Sequence, residues 1–122
     1  MKEIIAIIRP KQVEKTKEAL DLAGFPSMTA IPVIGRGRQR GIAGELSYNV
    51  RPDLLVKGKL AGMKYIPKRL LTIVVHDDEV DTVVNIIVKK NQTAVIGDGK
   101  IFICPVVDAF RIRSSERGEE AI

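Results

Sequence analysis

Tryptophan is absent from this chain, and so are the clusters of histidine and cysteine that would announce a metal centre or a disulfide framework. The single Cys104 cannot form an internal disulfide, and its place inside an apolar run points to packing. The single His76 leaves no histidine set for a metal, and no nucleophile–base pair is legible, so the sequence does not read as an enzyme. With only two tyrosines and three phenylalanines, the core has to be built from Ile, Val, Leu and Ala. No apolar run approaches the roughly 20 residues needed to span a bilayer. The first eight residues lack a basic n-region, so they are expected to be a first strand, not a signal peptide, and the chain is expected to be cytoplasmic.

What is present is ordinary for a folded domain: 122 residues, 45% hydrophobic and 29% charged. One domain covering residues 1–122 is expected. The net charge of +5 favours anionic partners without choosing among nucleic acid, nucleotides and acidic proteins.

Lys2–Arg9 is rich in β-branched residues and nearly continuous in apolar ones, as in a central strand, and Pro10 stops it. Over residues 11–23, Val13, Thr16, Leu20 and Ala23 share one stripe opposite lysines and glutamates, which predicts a helix closed by Gly24. A second strand is expected from about Met28 to Arg36, ending in a basic segment punctuated by Gly35, Gly37 and Gly41. The pattern then repeats. Arg69–Val75 reads as a strand, and Asp77 and Asp78 are candidate helix caps. Val80, Val83, Val84, Ile87 and Val88 give strong helical spacing. A strand from Lys100 completes the second unit. Two β–α–β units in tandem predict an α+β, ferredoxin-like βαββαβ sandwich, with an antiparallel sheet and two helices on one face.

The stretch 96–113 holds the densest signal. Gly97-Asp98-Gly99 is a turn whose glycines leave backbone N–H groups uncovered, and Lys100 follows at once. If residues 106–113 continue as a strand, Arg111 and Arg113 point to one face. A bare turn, a lysine and two co-facing arginines suit a polyanion such as a phosphate chain. A hairpin turn beside a solvated basic face accounts for the same residues. Between the two units lies 38–64, with glycines, a proline, mixed charge and no strong periodicity. So long a connection is either a partner-binding loop or an insertion without a role.

Several motifs stand together in order: Ile7-Ile8-Arg9-Pro10, Gly24 with Met28-Thr29, Gly35-x-Gly37-Arg38-Gln39-x-Gly41, Pro67-Lys68, Ile96-Gly97-Asp98-Gly99-Lys100-Ile101-Phe102, Pro105-Val106, Arg111-Ile112-Arg113 and Ala121-Ile122. In this relation they resemble the PII nitrogen-regulatory signal-transduction family over the whole chain except the loop. The resemblance implies a homotrimer that binds ATP or ADP between subunits and, with Mg and ATP, 2-oxoglutarate. It also implies output through the long loop. By position, Ile7, Met28, Thr29, Gly35 and Val74 are expected on the adenosine side. Gly37, Arg38 and Gln39 are expected at the loop base, with Gln39 helping to hold Mg and 2-oxoglutarate. Gly97, Asp98, Gly99 and Lys100 are expected to meet the phosphates from one subunit, and Arg111 and Arg113 from its neighbour. Lys68 matches the lysine that pairs with a 2-oxoglutarate carboxylate.

Some positions depart from the family pattern. Tyr48 lacks the usual setting of the loop's modifiable tyrosine, the loop is longer, Thr72 replaces a frequent acidic residue, and Ala94-Val95 stands where Gly-Lys is common. The lengthened loop, with Ala-Gly-Phe-Pro-Ser-Met-Thr-Ala at Ala23–Ala30 and Cys104-Pro105, most resembles the branch encoded beside nitrogenase in methanogens and some bacteria. That branch implies pairing with a paralogous subunit and inhibition of dinitrogenase, relieved by 2-oxoglutarate. A regulator of an ammonium channel or of glutamine synthetase is the alternative within the family. A ferredoxin-like RNA-binding module is a remote one, because Phe102 and Phe110 alone do not make a base-stacking pattern, so no nucleic-acid partner is expected. The loop 38–64 lacks the apolar periodicity to bury itself, which predicts mobility until ligand or target fixes it.

Overall fold

The computed structural model describes residues 1–37 and 65–122. Arg38, Gln39, Tyr48 and the rest of 38–64 lie outside the described residues. Strands β1 (Lys2–Ile8), β2 (Thr29–Gly35), β3 (Ile66–Val75) and β4 (Lys100–Pro105) form one sheet. Its order is β2-β3-β1-β4, with every neighbouring pair antiparallel. Helices α1 (Val13–Leu22) and α2 (Val80–Asn91) pack against each other and lie on one face of that sheet. This is the ferredoxin-like arrangement that the repeated pattern predicts.

Alternation along the strands decides which side chains go under the helices. Ile4, Ala6 and Ile8 of β1 and Leu71, Ile73 and Val75 of β3 are buried there against Leu20, Val83 and Ile87. Full burial of a side chain of this size contributes about 1.5–3 kcal/mol. One polar contact joins the helices inside this layer: the Asn91 amide donates to Thr16 Oγ1 at 2.9 Å and to the Ile87 carbonyl at 2.8 Å. Helix α1 ends as its sequence predicts. Gly24 takes φ +92°, the Phe25 N–H reaches the Leu20 carbonyl at 2.8 Å, and the Gly24 N–H reaches Asp21 at 3.0 Å.

Three expectations need correction. β3 begins at Ile66, three residues before Arg69, and so contains Pro67. β1 pairs only with Arg69–Val75, so the proline's missing N–H falls where β3 has one partner, β2. Neither Asp77 nor Asp78 caps the second helix. A 3-10 turn, Asp77–Glu79, precedes it, and Glu79 Oε2 accepts the His76 N–H at 3.0 Å. Finally, residues 106–113 are not a strand. They begin an excursion that folds back on itself, closed by the bridge Phe110–Arg117 and by Arg111 N–H to Glu116 carbonyl at 2.9 Å. The alternation that would co-face Arg111 and Arg113 therefore does not apply.

The excursion returns to the sheet's corner. His76 Nδ1 meets Glu119 Oε2 at 2.5 Å, and the Met1 ammonium lies 3.0 Å from both Asp77 and Glu119. The contact with Glu119 holds the His76 pKa above its ordinary value. The charged imidazole is thus bound more tightly in the fold than in the open chain. The tether is complete below about pH 6.5 and weakens as pH rises through the folded-state value. Both groups are solvent-exposed, so the effect is local. Amide exchange at residues 118–122 is expected to accelerate above neutral pH beyond its intrinsic base dependence, and His76→Gln should erase that excess.

Among the described residues, no helix is long and apolar enough to cross a membrane. None of their His, Cys, Asp and Glu residues gather in threes to hold a metal.

Candidate anion-binding site

The sheet face turned away from the helices carries the site. Cross-strand partners share a face, so the register places the side chains. Ile7 lies between Leu70 and Lys100. Thr29 lies opposite Thr72, and Gly35 opposite Ile66. Lys68 and Val74 have the same parity on β3 and join them. Thus Ile7, Thr29, Gly35, Lys68, Val74 and Lys100 share this open face. Met28 differs: its side chain packs against the helix-side core, so a ligand on the open face would meet only its backbone. Gly37 is exposed just beyond β2.

The segment between α2 and β4 forms one end of the face. It joins a helix to a strand, which excludes the hairpin turn raised from sequence. Gly97 and Gly99 both take positive φ, +105° and +114°. At Gly99 a β-carbon would stand 1.9 Å from the Ile7 carbonyl oxygen, so only glycine lets the turn lie against β1.

Asp98 does not face outward between these glycines. Its Oδ1 accepts from Arg9 Nη1 at 2.6 Å and also meets the Thr93 hydroxyl. Its Oδ2 accepts the N–H groups of Thr93 at 2.6 Å and Ala94 at 2.9 Å. Burial alone would raise the carboxyl's pKa, but the bonds from Thr93 and Arg9 outweigh it and hold Asp98 well below the usual carboxylate range. Arg9, only 8% exposed, also donates from Nη2 to the Ile96 carbonyl at 3.1 Å. Lys68, 7% exposed, donates to the Gly97 carbonyl at 2.8 Å. Behind the turn, on the helix side, lies a cavity of about 360 Å³ lined by Ile8, Val84, Ile87, Asn91 and Ile101 among others. Its lining is mainly apolar and includes Asp98, Gly99 and Lys100 from the turn itself.

Arg111 and Arg113 stand elsewhere. Arg111 pairs with Glu116 and donates to the Glu120 carbonyl at 3.3 Å, while Arg113 is exposed. Among the described residues, no hydrogen bond or ion pair joins either arginine to Gly97–Lys100 of the same chain.

Three residues play parts that sequence reasoning did not assign them. Arg9 was visible only as part of a motif, and nothing local marks a partner 89 residues away. Ala94 takes φ +64°, a left-handed conformation that favours glycine. Glu3 Oε2 accepts the Thr72 hydroxyl at 2.6 Å on the open face. A carboxylate therefore reaches the position of Thr72 from the neighbouring strand.

A family model described as "Nitrogen regulatory protein P-II" matches residues 1–116. The chain is 55% identical to the nitrogen fixation nifHD1 region GlnB-like protein 2 of Methanosarcina barkeri, covering all of this chain and 99% of that one. It is 50% identical to the corresponding nifHD region protein 2 of Methanococcus maripaludis over the full length of both. Among solved structures it resembles Arabidopsis thaliana PII bound to citrate, with TM-score 0.73 and 32% identity, over 98% of this chain and 87% of that one. A ferredoxin-like fold, a glycine turn laid against β1 and full-length likeness to nitrogen-fixation-region relatives agree: the chain belongs to the P-II family of nitrogen regulatory proteins, signalling proteins and not enzymes.

Proposed function

We propose that this chain is a cytoplasmic, single-domain sensor of nitrogen status that binds ATP or ADP, with Mg and 2-oxoglutarate, and inhibits dinitrogenase through 38–64. One observation carries the reading. Apolar Ile7 and Val74, Thr29, Gly35 and two lysines share one open face beside a turn that only glycine can form. An adenosine group fits the apolar part, with Met28 contributing backbone. Phosphates fit the turn at Gly97 and Gly99 with Lys100, and a lysine charge suits a 2-oxoglutarate carboxylate at Lys68. Gly37, Arg38 and Gln39 would flank the phosphates. Mg would be held by phosphate oxygens and the Gln39 amide oxygen, the hard donors it prefers. Arg111 and Arg113 would reach the phosphates of the neighbouring subunit in a trimer. The exposed Val107, Phe110 and Ile112 of the same excursion support a packed position there. The nifHD-region relatives support nitrogenase as target and a paralogous subunit as a companion.

Calorimetry on the purified chain tests the ligand set. Mg-ATP should bind first, and 2-oxoglutarate only in its presence. Lys68→Ala should weaken 2-oxoglutarate binding about 10- to 150-fold, the value of one charge-assisted contact, and ATP binding less. Equal 2-oxoglutarate binding without nucleotide would overturn the arrangement. For the target, the full chain should inhibit dinitrogenase and a chain lacking 42–62 should not.

A further inference from the structure

We propose that Arg9 and Asp98 are positioning residues for phosphate: they tie the oxygens of the 96–98 segment into hydrogen bonds within the protein, and the turn so fixed sets affinity for the anion. The inference rests on the nucleotide reading above. It assigns a role to two residues that need not touch the ligand.

An anion-binding turn has a conflict built in. Each peptide unit that offers an N–H also carries a carbonyl oxygen, and here the turn's central side chain is itself a carboxylate. Left free, these oxygens would repel phosphate from the place where the N–H groups attract it. In this structure two of those carbonyls and the carboxylate are engaged. The Ile96 carbonyl accepts from Arg9 at 3.1 Å and the Gly97 carbonyl from Lys68 at 2.8 Å. The Asp98 carboxylate takes Arg9 on one oxygen and two backbone N–H groups on the other. Arg9 alone holds two of these three groups, through different nitrogens of one guanidinium. A planar fork with fixed donor directions can do this, whereas an ammonium offers a single point charge. The arginine sits at the end of β1, two residues beyond Ile7, whose carbonyl Gly99 touches. Strand, turn and guanidinium therefore fix one another. A purely structural pair would influence the whole ligand equally. A pair that orients the turn should act on the phosphate part alone.

The test separates these. Calorimetry measures ATP and adenosine binding to the wild-type chain, Asp98→Ala, Asp98→Asn and Arg9→Lys. Asp98→Ala should lose at least tenfold in ATP affinity with adenosine affinity changed less than twofold. Asp98→Asn keeps an oxygen for the Thr93 and Ala94 N–H groups and should recover part of the loss. Arg9→Lys can serve only one of the Ile96 carbonyl and the Asp98 carboxylate and should fall between. If Asp98→Ala does not fold, the other two variants decide by the same ratio of ATP to adenosine affinity. Equal losses for both ligands would make the pair merely structural and overturn the proposal. Unchanged ATP affinity in all variants would overturn it as well. A wild-type chain that binds no ATP would instead overturn the nucleotide reading on which it rests.

Discussion

Gly99→Ala is expected to lower stability by about 2–6 kcal/mol and to cost more than tenfold in ATP affinity. Two effects add. A residue with a β-carbon held at φ +114° pays roughly 1–3 kcal/mol in backbone strain. The new methyl would also sit 1.9 Å from the Ile7 carbonyl oxygen and 3.0 Å from its carbon, both backbone atoms of a strand inside the sheet. Neither can swing aside as a side chain could, so overpacking adds roughly 1–3 kcal/mol. Relief requires the turn to lift from β1, which moves the N–H groups expected to meet phosphate. Gly24→Ala and Gly118→Ala are the controls, because both have positive φ with open space around the missing β-carbon. They should show the strain alone, with ATP affinity intact. Denaturant unfolding and calorimetry read both quantities. A Gly99→Ala protein as stable as these controls would mean that β1 and the turn adjust freely.

Replacing Arg111 and Arg113 together by alanine should weaken ATP binding about 10²- to 10⁴-fold, since two charge-assisted contacts of roughly 1.5–3 kcal/mol each are removed. The cost to the fold should be small. Arg111 pairs with Glu116 across partly exposed side chains, and such pairs contribute about 0–1 kcal/mol. Glu116→Gln removes that pairing while leaving both cations, so it should leave ATP affinity unchanged or raise it. Wild-type affinity in the double variant would return the arginines to a solvated role.

The elements were legible where local chemistry decides them. The stripe through Val83 and Ile87 and the apolar alternation at Ile4, Ala6 and Ile8 needed no tertiary information. Gly24, as a helix terminator, was readable for the same reason. Reading failed where a distant neighbour sets the outcome. Pro67 looks like a strand breaker until β1 is seen to end before it. Arg111 and Arg113 look like alternating strand residues, yet the closing contacts to Glu116 and Arg117 lie further along the chain. The glycine turn was visible as a motif, but not the inward direction of Asp98. That direction comes from Arg9, far away in sequence, and from two N–H groups of the turn itself.

The contact between Arg9 and Asp98 joins residues 89 positions apart. Closing a chain loop of that span costs about 4 kcal/mol in entropy, by the logarithmic dependence on length. No fragment containing only the first β–α–β unit holds the turn, and no fragment containing only the second holds Arg9 and the Ile7 carbonyl. The proposed nucleotide site would thus be complete only after β4 docks on β1, and a growing chain on the ribosome would pass most of its synthesis without it. A ligand that binds only the finished fold then acts on the protein's lifetime. At a free concentration one hundred times its dissociation constant it deepens the native well by about 2.7 kcal/mol. Cells that hold the nucleotide high would keep more of this chain intact, whatever they ask it to regulate.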